Sequence, residues 1–205
     1  MKIAIIGKGR AGTAIAEGLR RKHEIKFGHR DPAEPVAAAA RWGEVIILAI
    51  PYDATKSVVK EIGSAADGKT LIDITNPLTE NMDLAIGFTT SAAEETQKML
   101  PKARVVKAFN SVFSANQSTG RIGDEKLTLF VAGDDAQAKR TVMQLGADIG
   151  FESVDAGPLK NARSLEAMGN LMINLGLVLG MGTKIGYKLV KGPKPEKTLP
   201  QGYGR

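Results

Sequence analysis

Short apolar runs alternate with longer amphipathic segments along most of the chain, and this alternation is typical of an α/β fold with a largely parallel sheet. Residues 45–50 are all apolar, as expected for a strand that is buried on both faces. The predicted strands cover residues 2–6, 24–28, 45–50, 70–74, 104–109, 127–132 and 152–155.

The segments between these strands carry helical patterns. The predicted helices cover residues 11–22, 31–43, 54–66, 91–100 and 135–149. Further along, apolar residues recur at helical spacing on one long segment, at Leu165, Met168, Met172, Leu175 and Leu179. We therefore predict a small helical C-terminal region over residues 156–190, followed by an extended basic tail over residues 191–205.

The composition is that of a soluble globular protein, with 43% hydrophobic and 24% charged residues. The chain has no cysteine, which excludes disulfides, thiolate nucleophiles and cysteine-based metal sites. A cysteine-free chain suits the reducing cytoplasm, which is the predicted location. The uncharged segment over residues 169–183 is too short to span a bilayer, so no membrane association is predicted.

The net charge of +6 is concentrated at the two ends of the chain. Residues 1–30 hold eight Lys or Arg against two Glu, and residues 184–205 hold six basic residues against one acidic residue. Nucleic-acid-binding proteins can have such ends, but here aromatic residues make up only 5% and no binding motif accompanies the charge. A phosphorylated small molecule is the better match for basic residues near the N-terminus.

A glycine-rich loop follows the first predicted strand directly. Gly7, Gly9 and Gly12 form a G-x-G-x-x-G pattern between a strand and a helix, which is the context of a dinucleotide-binding fingerprint. Gly7 permits the tight turn, Gly9 lets a pyrophosphate approach the backbone, and Gly12 lets the helix lie close to the strand. Thr13 stands where a P-loop would need lysine. The pattern predicts a Rossmann-type dinucleotide-binding domain over residues 1–155.

The end of the second strand distinguishes NADP from NAD. An NAD-binding protein would place a carboxylate there for the ribose 2′-hydroxyl, but this strand runs into His29 and Arg30. Arg30 is positioned for a bidentate contact with a 2′-phosphate. Lys8 and Arg10 add positive charge within the loop. We therefore predict NADP(H) as the cofactor, with His29 packing against the adenosine or contacting the phosphate.

The loops after the third and fourth strands should flank the nicotinamide, because ligands of open α/β sheets bind beyond the carboxyl ends of the strands. Ile50 and Pro51 are candidates to cover one face of the ring, with Tyr52 beside them. Asn76 is expected to supply polar contacts, followed by Pro77. Both prolines also end their strands abruptly.

Groups for acid–base catalysis are few, and no catalytic residue is predicted. The two histidines, His23 and His29, are expected away from the nicotinamide, and no triad or metal-ligand spacing is present. Direct hydride transfer between two redox cofactors requires no proton shuttle, whereas carbonyl reduction usually needs a proton donor. The pattern thus favours a cofactor-to-cofactor reductase. A dehydrogenase of a small organic substrate stays open, with Lys107 and Tyr52 as its weak candidate groups.

Nearly the whole chain, up to about residue 189, resembles the NADPH-dependent reductases of the deazaflavin coenzyme F420, which are relatives of the N-terminal domain of STEAP metalloreductases. Besides the glycine loop, the resemblance rests on the runs Gly28-His29-Arg30, Ile50-Pro51-Tyr52, Thr75-Asn76-Pro77-Leu78, Thr90-Ser91-Ala92-Ala93-Glu94, Val105-Val106-Lys107-Ala108-Phe109-Asn110, Val131-Ala132-Gly133-Asp134-Asp135 and Asp155-Ala156-Gly157-Pro158-Leu159.

The resemblance implies a cleft in which a deazaflavin stacks against the nicotinamide. Residues 8–11, which include Ala11, would line the pyrophosphate, His29 and Arg30 would take the 2′-phosphate, and Ile50 would contact the nicotinamide. Archaeal members usually have Ser in place of His29 and often have Trp in place of Tyr52. Phe109-Asn110 is more similar to the STEAP branch, which leaves the identity of the electron acceptor open.

These observations predict an oxidoreductase that transfers hydride between NADPH and coenzyme F420 or a flavin-like acceptor. The alternative is a non-catalytic NADP(H)-binding redox sensor, whose basic tail would contact a partner. The Met/Leu stripe on the C-terminal segment is more typical of a core or dimer interface than of a cofactor wall. A homodimer is therefore expected, with a small-molecule redox co-substrate and without nucleic acid.

Overall fold

The computed structural model of the chain describes residues 1–193. Within this range the strands are β1 (Lys2–Ile6), β2 (Glu24–Gly28), β3 (Val45–Leu48), β4 (Thr70–Asp73), β5 (Arg104–Lys107), β6 (Arg121–Ile122), β7 (Glu125–Lys126), β8 (Thr128–Gly133) and β9 (Glu152–Asp155). The helices are α1 (Arg10–Leu19), α2 (Val36–Trp42), α3 (Thr55–Ile62), α4 (Ala92–Met99), α5 (Ser114–Gln117), α6 (Ala136–Ile149) and α7 (Ala162–Ile173).

Seven of the described strands form one sheet in the order β2-β1-β3-β4-β5-β8-β9. The first five strands of this order are parallel, whereas β8 pairs antiparallel with β5 and β9 pairs parallel with β8. The predicted α/β fold with a largely parallel, Rossmann-type sheet is therefore confirmed. Strand β2 lies on one side of β1 and β3 lies on the other, so the order in which strands are added to the sheet changes direction at β1. Folds of this type bind ligands in the crevice beyond the carboxyl ends of the strands at such a point.

Strand β1 shows how the sheet separates two apolar layers. Its side chains alternate between the two faces, so Ile3 and Ile5 pack with α1 and α6 while Ala4 and Ile6 pack with α2 and α3. All four of these side chains are fully buried. Burial on both faces explains why the central strands read as continuous apolar runs in the sequence.

The second predicted helix begins later than expected. The sequence placed its start at Asp31, but α2 begins at Val36. The Asp31 carboxylate accepts a hydrogen bond of 2.9 Å from the backbone N–H of Ala33, which makes residues 31–33 a local turn. Asp31 is therefore part of a turn and not the start of the helix, which follows Pro35.

Two predicted strands are shorter than expected at their carboxyl ends. Strand β3 ends at Leu48 rather than residue 50, and β5 ends at Lys107 rather than residue 109. Phe109 has a φ of 62°, and this left-handed backbone cannot continue a strand. Sequence analysis also missed the short helix α5 and the β6–β7 hairpin, which lie between β5 and β8.

The C-terminal segment is helical, as its apolar spacing predicts, but it changes geometry. Helix α7 ends at Ile173 and continues as a wider π-helical turn over Asn174–Val178. Residues 191–193 have no regular structure, and the rest of the predicted tail lies outside the described residues. The division of the chain at residues 155 and 190 stays a prediction. Among residues 1–193, no helix has the length and apolar character needed to cross a membrane.

Candidate functional site

The glycine loop between β1 and α1 is built by close packing at two of its three glycines. Gly7 has a φ of 109°, and a Cβ added to it would lie 2.1 Å from the carbonyl oxygen of Ala49. A Cβ on Gly12 would lie 2.2 Å from the carbonyl oxygen of Gly7. Both glycines are therefore required by the protein itself, one for the turn and one for the contact between helix and strand.

Gly9 differs from its two neighbours in the loop. It has an extended backbone, and a Cβ added to it would meet nothing within 4 Å. The fold does not require glycine at this position, whereas a ligand that approaches the backbone would. This open position matches the pyrophosphate contact predicted for Gly9.

Helix α1 begins immediately after Gly9 without a side-chain cap and without an acidic residue in its first turn. The first backbone N–H groups of a helix have no partner inside the helix, and the helix dipole places partial positive charge at this end. The N-terminus of α1 is thus available to an anion. With the open backbone at Gly9, it fits the pyrophosphate of a dinucleotide.

A cleft of about 800 Å³ opens along this loop between the ends of β1, β2 and β3; we call it the glycine-loop cleft. Its lining includes seven of the predicted cofactor residues, namely Gly7, Lys8, Gly9, His29, Arg30, Ile50 and Pro51. Asp53 and Glu61 belong to the same lining. The cleft is large enough for the adenosine half of a dinucleotide.

The basic side chains of the glycine-loop cleft share an unexpected partner. The Lys8 ammonium lies 2.9 Å from the Glu34 carboxylate, and His29 Nε2 lies 2.6 Å from the same carboxylate. The hydrogen bond from Lys8 holds the pKa of Glu34 below its ordinary value, and the hydrogen bond from His29 acts in the same direction. Arg30 is exposed and makes no ion pair with any residue of the described range.

The contacts of Glu34 with Lys8 and His29 are not predicted from the sequence, in which no carboxylate stands between the end of the second strand and Asp31. The turn at Asp31 folds the chain back, so that the backbone N–H of His29 donates to the carbonyl oxygen of Glu34 over 2.8 Å. The Asp-Pro pair at residues 31–32 was the available signal for this turn. The sequence-based prediction places a helix start at this pair, and such a helix does not include the contact between His29 and Glu34.

A second cavity of about 330 Å³, which we call the apolar pocket, lies beyond the carboxyl ends of β4 and β5. Its walls include Ile74, Phe109, Val112, Met172 and Ile173, with the predicted residues Arg10, Ala11 and Asn76 also in its lining. Gly9 and Arg10 are consecutive, and each lines one of the two cavities. Both cavities therefore have residues at the N-terminus of α1 in their walls.

Two asparagines are locked together in the wall of the apolar pocket. Asn76 donates to the carbonyl oxygen of Asn110 over 2.8 Å, and the Asn110 amide donates to Asn76 Oδ1 over 3.0 Å. Asn110 also donates to the carbonyl oxygen of Leu165 at the start of α7, over 2.7 Å. A Cβ on Gly169 would lie 2.4 Å from Asn76 Oδ1, so helix α7 packs directly on this pair.

Phe109 contributes strain as well as apolar surface to the same wall. Its side chain is 1% exposed and packs edge-to-face on Phe151 with ring centroids 5.8 Å apart. A positive φ is uncommon for a bulky residue and persists only where surrounding packing enforces it. The strained backbone at Phe109 therefore indicates a wall whose shape is fixed by the core.

A buried charge cluster connects the sheet to the C-terminal helix. The Lys107 ammonium lies 3.0 Å from Asp73 and 2.9 Å from Glu166, and none of these side chains is more than 1% exposed. Burial alone would lower the pKa of Lys107, but the two carboxylates together raise it. Burial raises the pKa of Glu166, although Lys107 opposes this shift. Glu166 also accepts a 3.0 Å hydrogen bond from the N–H of Ala92.

The two weak candidates for a proton donor lie outside both cavities. Lys107 is held in the buried cluster, and Tyr52 donates a 2.9 Å hydrogen bond to Glu95 of α4. Burial, assisted by Glu95, raises the pKa of Tyr52 to about 12. Of the other predicted cofactor residues, Gly12 and Pro77 also line neither cavity.

The chain is similar to known reductases over most of its length. A family model described as "NADP oxidoreductase coenzyme F420-dependent" matches residues 2–77. The F420-dependent NADP reductase of Methanocaldococcus jannaschii is 30% identical in an alignment that covers 86% of this chain and 93% of that protein. Metalloreductase STEAP3 of Rattus norvegicus is 30% identical over 82% of this chain, but this region is 36% of STEAP3.

A solved structure shows the same fold. A protein from Arthrobacter sp. FB24, described as a candidate F420-dependent NADP reductase, matches with a TM-score of 0.87 and 28% sequence identity. The match covers 93% of this chain and 100% of that one. These similarities extend well beyond the glycine loop, to the segments that form the apolar pocket. The chain therefore belongs to the family of F420-dependent NADP reductases.

Proposed function

We propose that this protein is an NADP(H)-dependent oxidoreductase that transfers hydride between NADPH and coenzyme F420 or a closely related flavin-like acceptor. The observation that carries the proposal is the position of two cavities next to the N-terminus of α1, one lined by Gly9 and the other by Arg10. One cavity offers cations and a glycine loop, which suit the phosphates of a dinucleotide. The other offers an apolar space with amide groups, which suits stacked aromatic rings.

We assign the predicted cofactor residues according to these two cavities. Arg30, His29 and Lys8 bind the 2′-phosphate of the adenosine ribose. The pyrophosphate lies over Gly9 and the first turn of α1. This assignment is supported by the open backbone at Gly9 and by the position of these three side chains in the same cleft.

The nicotinamide end is assigned to the region between the two cavities, beside the N-terminus of α1. Ile50 and Pro51 line the cleft, and Asn76 and Ala11 line the pocket. The bound dihydronicotinamide supplies the hydride. The task of the protein is to hold two rings in contact and to exclude water from between them. The rigid Asn76–Asn110 pair and the strained Phe109 are suited to that task, because neither can reorient easily.

The function is tested with the purified protein, NADPH and a panel of acceptors comprising F420, FMN, FAD and ferric chelates. We expect loss of NADPH absorbance with F420 and slower or no reaction with the others. Turnover with none of the four acceptors would contradict the proposal. Tight NADPH binding without any acceptor reduction would instead support the redox-sensor alternative.

We also propose that the protein is a homodimer of the cytoplasm. The end of α7 and the turn after it expose the apolar side chains Leu171, Leu177, Val178, Leu179 and Met181, each 52–68% exposed. Such a patch usually marks an interaction surface, and a two-fold pair of identical chains is the commonest way to cover one. Light scattering of the purified protein should give twice the monomer mass, and Leu179→Asp should lower it.

A further inference from the structure

The Glu34 carboxylate lies between Lys8 and His29, two of the side chains that are assigned to the 2′-phosphate. Its two oxygens lie 2.9 and 3.1 Å from the Lys8 ammonium, and one of them lies 2.6 Å from His29 Nε2. Lys8 is also within 5.6 Å of the Phe27 ring centroid, which holds its ammonium close to the end of β2. An anion of the protein thus already binds the groups that a ligand anion would use.

The loop over residues 29–35 holds this carboxylate in place. The backbone N–H of Glu34 donates to the carbonyl oxygen of Asp31 over 2.9 Å, and His29 N–H donates to the carbonyl oxygen of Glu34. The N–H of Asp31 donates to His29 Nδ1 over 3.3 Å. Because Nδ1 accepts, a neutral His29 ring carries its proton on Nε2, which faces the Glu34 carboxylate.

The same geometry makes Glu34 a competitor of the 2′-phosphate. Two anions cannot share Lys8 and His29 at hydrogen-bond distance without repulsion, so the phosphate must displace the carboxylate. The Glu34 side chain is about one-third exposed and can rotate into solvent without disturbing the core. NADH carries no 2′-phosphate and leaves the three groups as they are.

We propose that Glu34 is a specificity-determining residue that weakens the preference of this site for NADP(H) over NAD(H), by holding Lys8 and His29 in the absence of a 2′-phosphate. This inference rests on the proposed assignment of the 2′-phosphate to Arg30, His29 and Lys8. Its distinctive consequence is that removing an acidic side chain improves NADPH binding, although that side chain makes two favourable contacts.

The test compares the dissociation constants of NADPH and NADH by nucleotide fluorescence in the wild type and three variants. Glu34→Gln keeps the size of the side chain and removes its charge. Glu17→Gln is the matched control, because it makes the same change of net charge at an exposed position on α1. Arg30→Ala tests the underlying assignment of the phosphate site.

We expect Glu34→Gln to bind NADPH about three- to tenfold more tightly, the range that two exposed ion pairs allow, with NADH affinity unchanged or reduced. The gain should shrink at high salt, because the groups involved are exposed and screened. Glu17→Gln should change neither constant. Weaker NADPH binding by Glu34→Gln, or an equal change for both nucleotides, would overturn the proposal, because Glu34 would then organise the cations instead of competing for them.

Arg30→Ala separates failure of this inference from failure of the proposed site. If Arg30→Ala removes the preference for NADPH while Glu34→Gln does not raise it, the site assignment stands and the role of Glu34 is wrong. If Arg30→Ala leaves the preference unchanged, the 2′-phosphate lies elsewhere. Both the assignment and the role of Glu34 are then overturned.

Discussion

The glycine-loop cleft and the apolar pocket both have residues at the N-terminus of α1 in their walls, but they are built differently. The cleft is formed by the residues that follow β1, β2 and β3, together with the first residue of α2 and one side of α3, so all of it lies within residues 6–61. The pocket combines residues from α1, the ends of β4 and β5, the loop that leads to α5, and helix α7. These segments extend from Arg10 to Leu177, which are 167 positions apart, and they are brought together only by the complete fold.

The side chains of the two regions also differ in their freedom to move. Lys8, His29 and Arg30 of the cleft are at least partly exposed and can adjust to a ligand. Asn76 and Asn110 of the pocket are fixed by each other and by the backbone of α7. We infer that changes in the cleft alter cofactor affinity with little effect on stability. Changes that support the pocket should alter stability first.

The largest effect is expected for Lys107→Met, which breaks the cluster beneath the apolar pocket. The substitution leaves the Asp73 and Glu166 carboxylates buried without their cation. Removing one partner of a buried pair typically costs about 3–5 kcal/mol, so the free energy of unfolding should fall by that amount. Urea unfolding measures it, with Lys126→Met as the exposed control. A loss no larger than that of the control would show that the cluster does not stabilise the attachment of α7.

Arg30→Glu should give the next largest effect, confined to the cleft. Loss of a charged hydrogen-bond partner, together with repulsion from the new carboxylate, should weaken NADPH binding by about 100-fold and NADH binding far less. The unfolding midpoint should not change, because Arg30 is exposed and makes no ion pair within the described residues. Equal losses for both nucleotides would contradict the 2′-phosphate assignment and remove the contrast between the two regions.

Gly9→Ala sharpens the comparison within a single loop. Because a Cβ here meets no protein atom within 4 Å, the variant should lose less than about 1 kcal/mol of stability. Its affinity for NADPH and NADH alike should fall on the order of tenfold, since the methyl group takes space needed by the pyrophosphate. Gly12→Ala is the matched control. Its Cβ would contact the backbone of Gly7 at 2.2 Å, so it should lower stability by about 1–3 kcal/mol.

The walls of the cleft come from segments close in sequence and those of the pocket from distant segments. This difference also explains how much could be predicted from the sequence. The strands, their largely parallel sheet and the glycine loop follow from short contiguous patterns, and the structure confirms them. Seven of the predicted cofactor residues, which follow strand ends closely, line one cavity, whereas Gly12, Tyr52 and Pro77 line neither. The family could likewise be predicted from the sequence, because the runs of residues that carry the resemblance are contiguous.

What the sequence did not predict depends on distant contacts or on turns. Phe109 was expected to extend a strand, but the packing against Phe151 goes with a left-handed backbone that no periodicity signals. The partnership of Asn76 with Asn110 joins residues that are 34 positions apart. Glu34 contacts Lys8 and His29 of the cleft, and a turn stands where the first five residues of a helix are predicted. In each case the sequence contains the residue but does not indicate which distant residue it contacts.

The smallest effect is expected for Tyr52→Phe, which tests whether the boundary between the two regions carries a proton donor. Tyr52 adjoins Pro51 of the cleft, but its hydroxyl is engaged with Glu95 and lines neither cavity. Since its pKa is raised to about 12, the phenol keeps its proton throughout the neutral range. Steady-state NADPH oxidation with F420 should therefore change by less than about twofold, with no shift in its pH profile. A tenfold loss of kcat, with KM for NADPH unchanged, would identify Tyr52 as a proton donor and favour reduction of a small organic substrate over hydride transfer between cofactors.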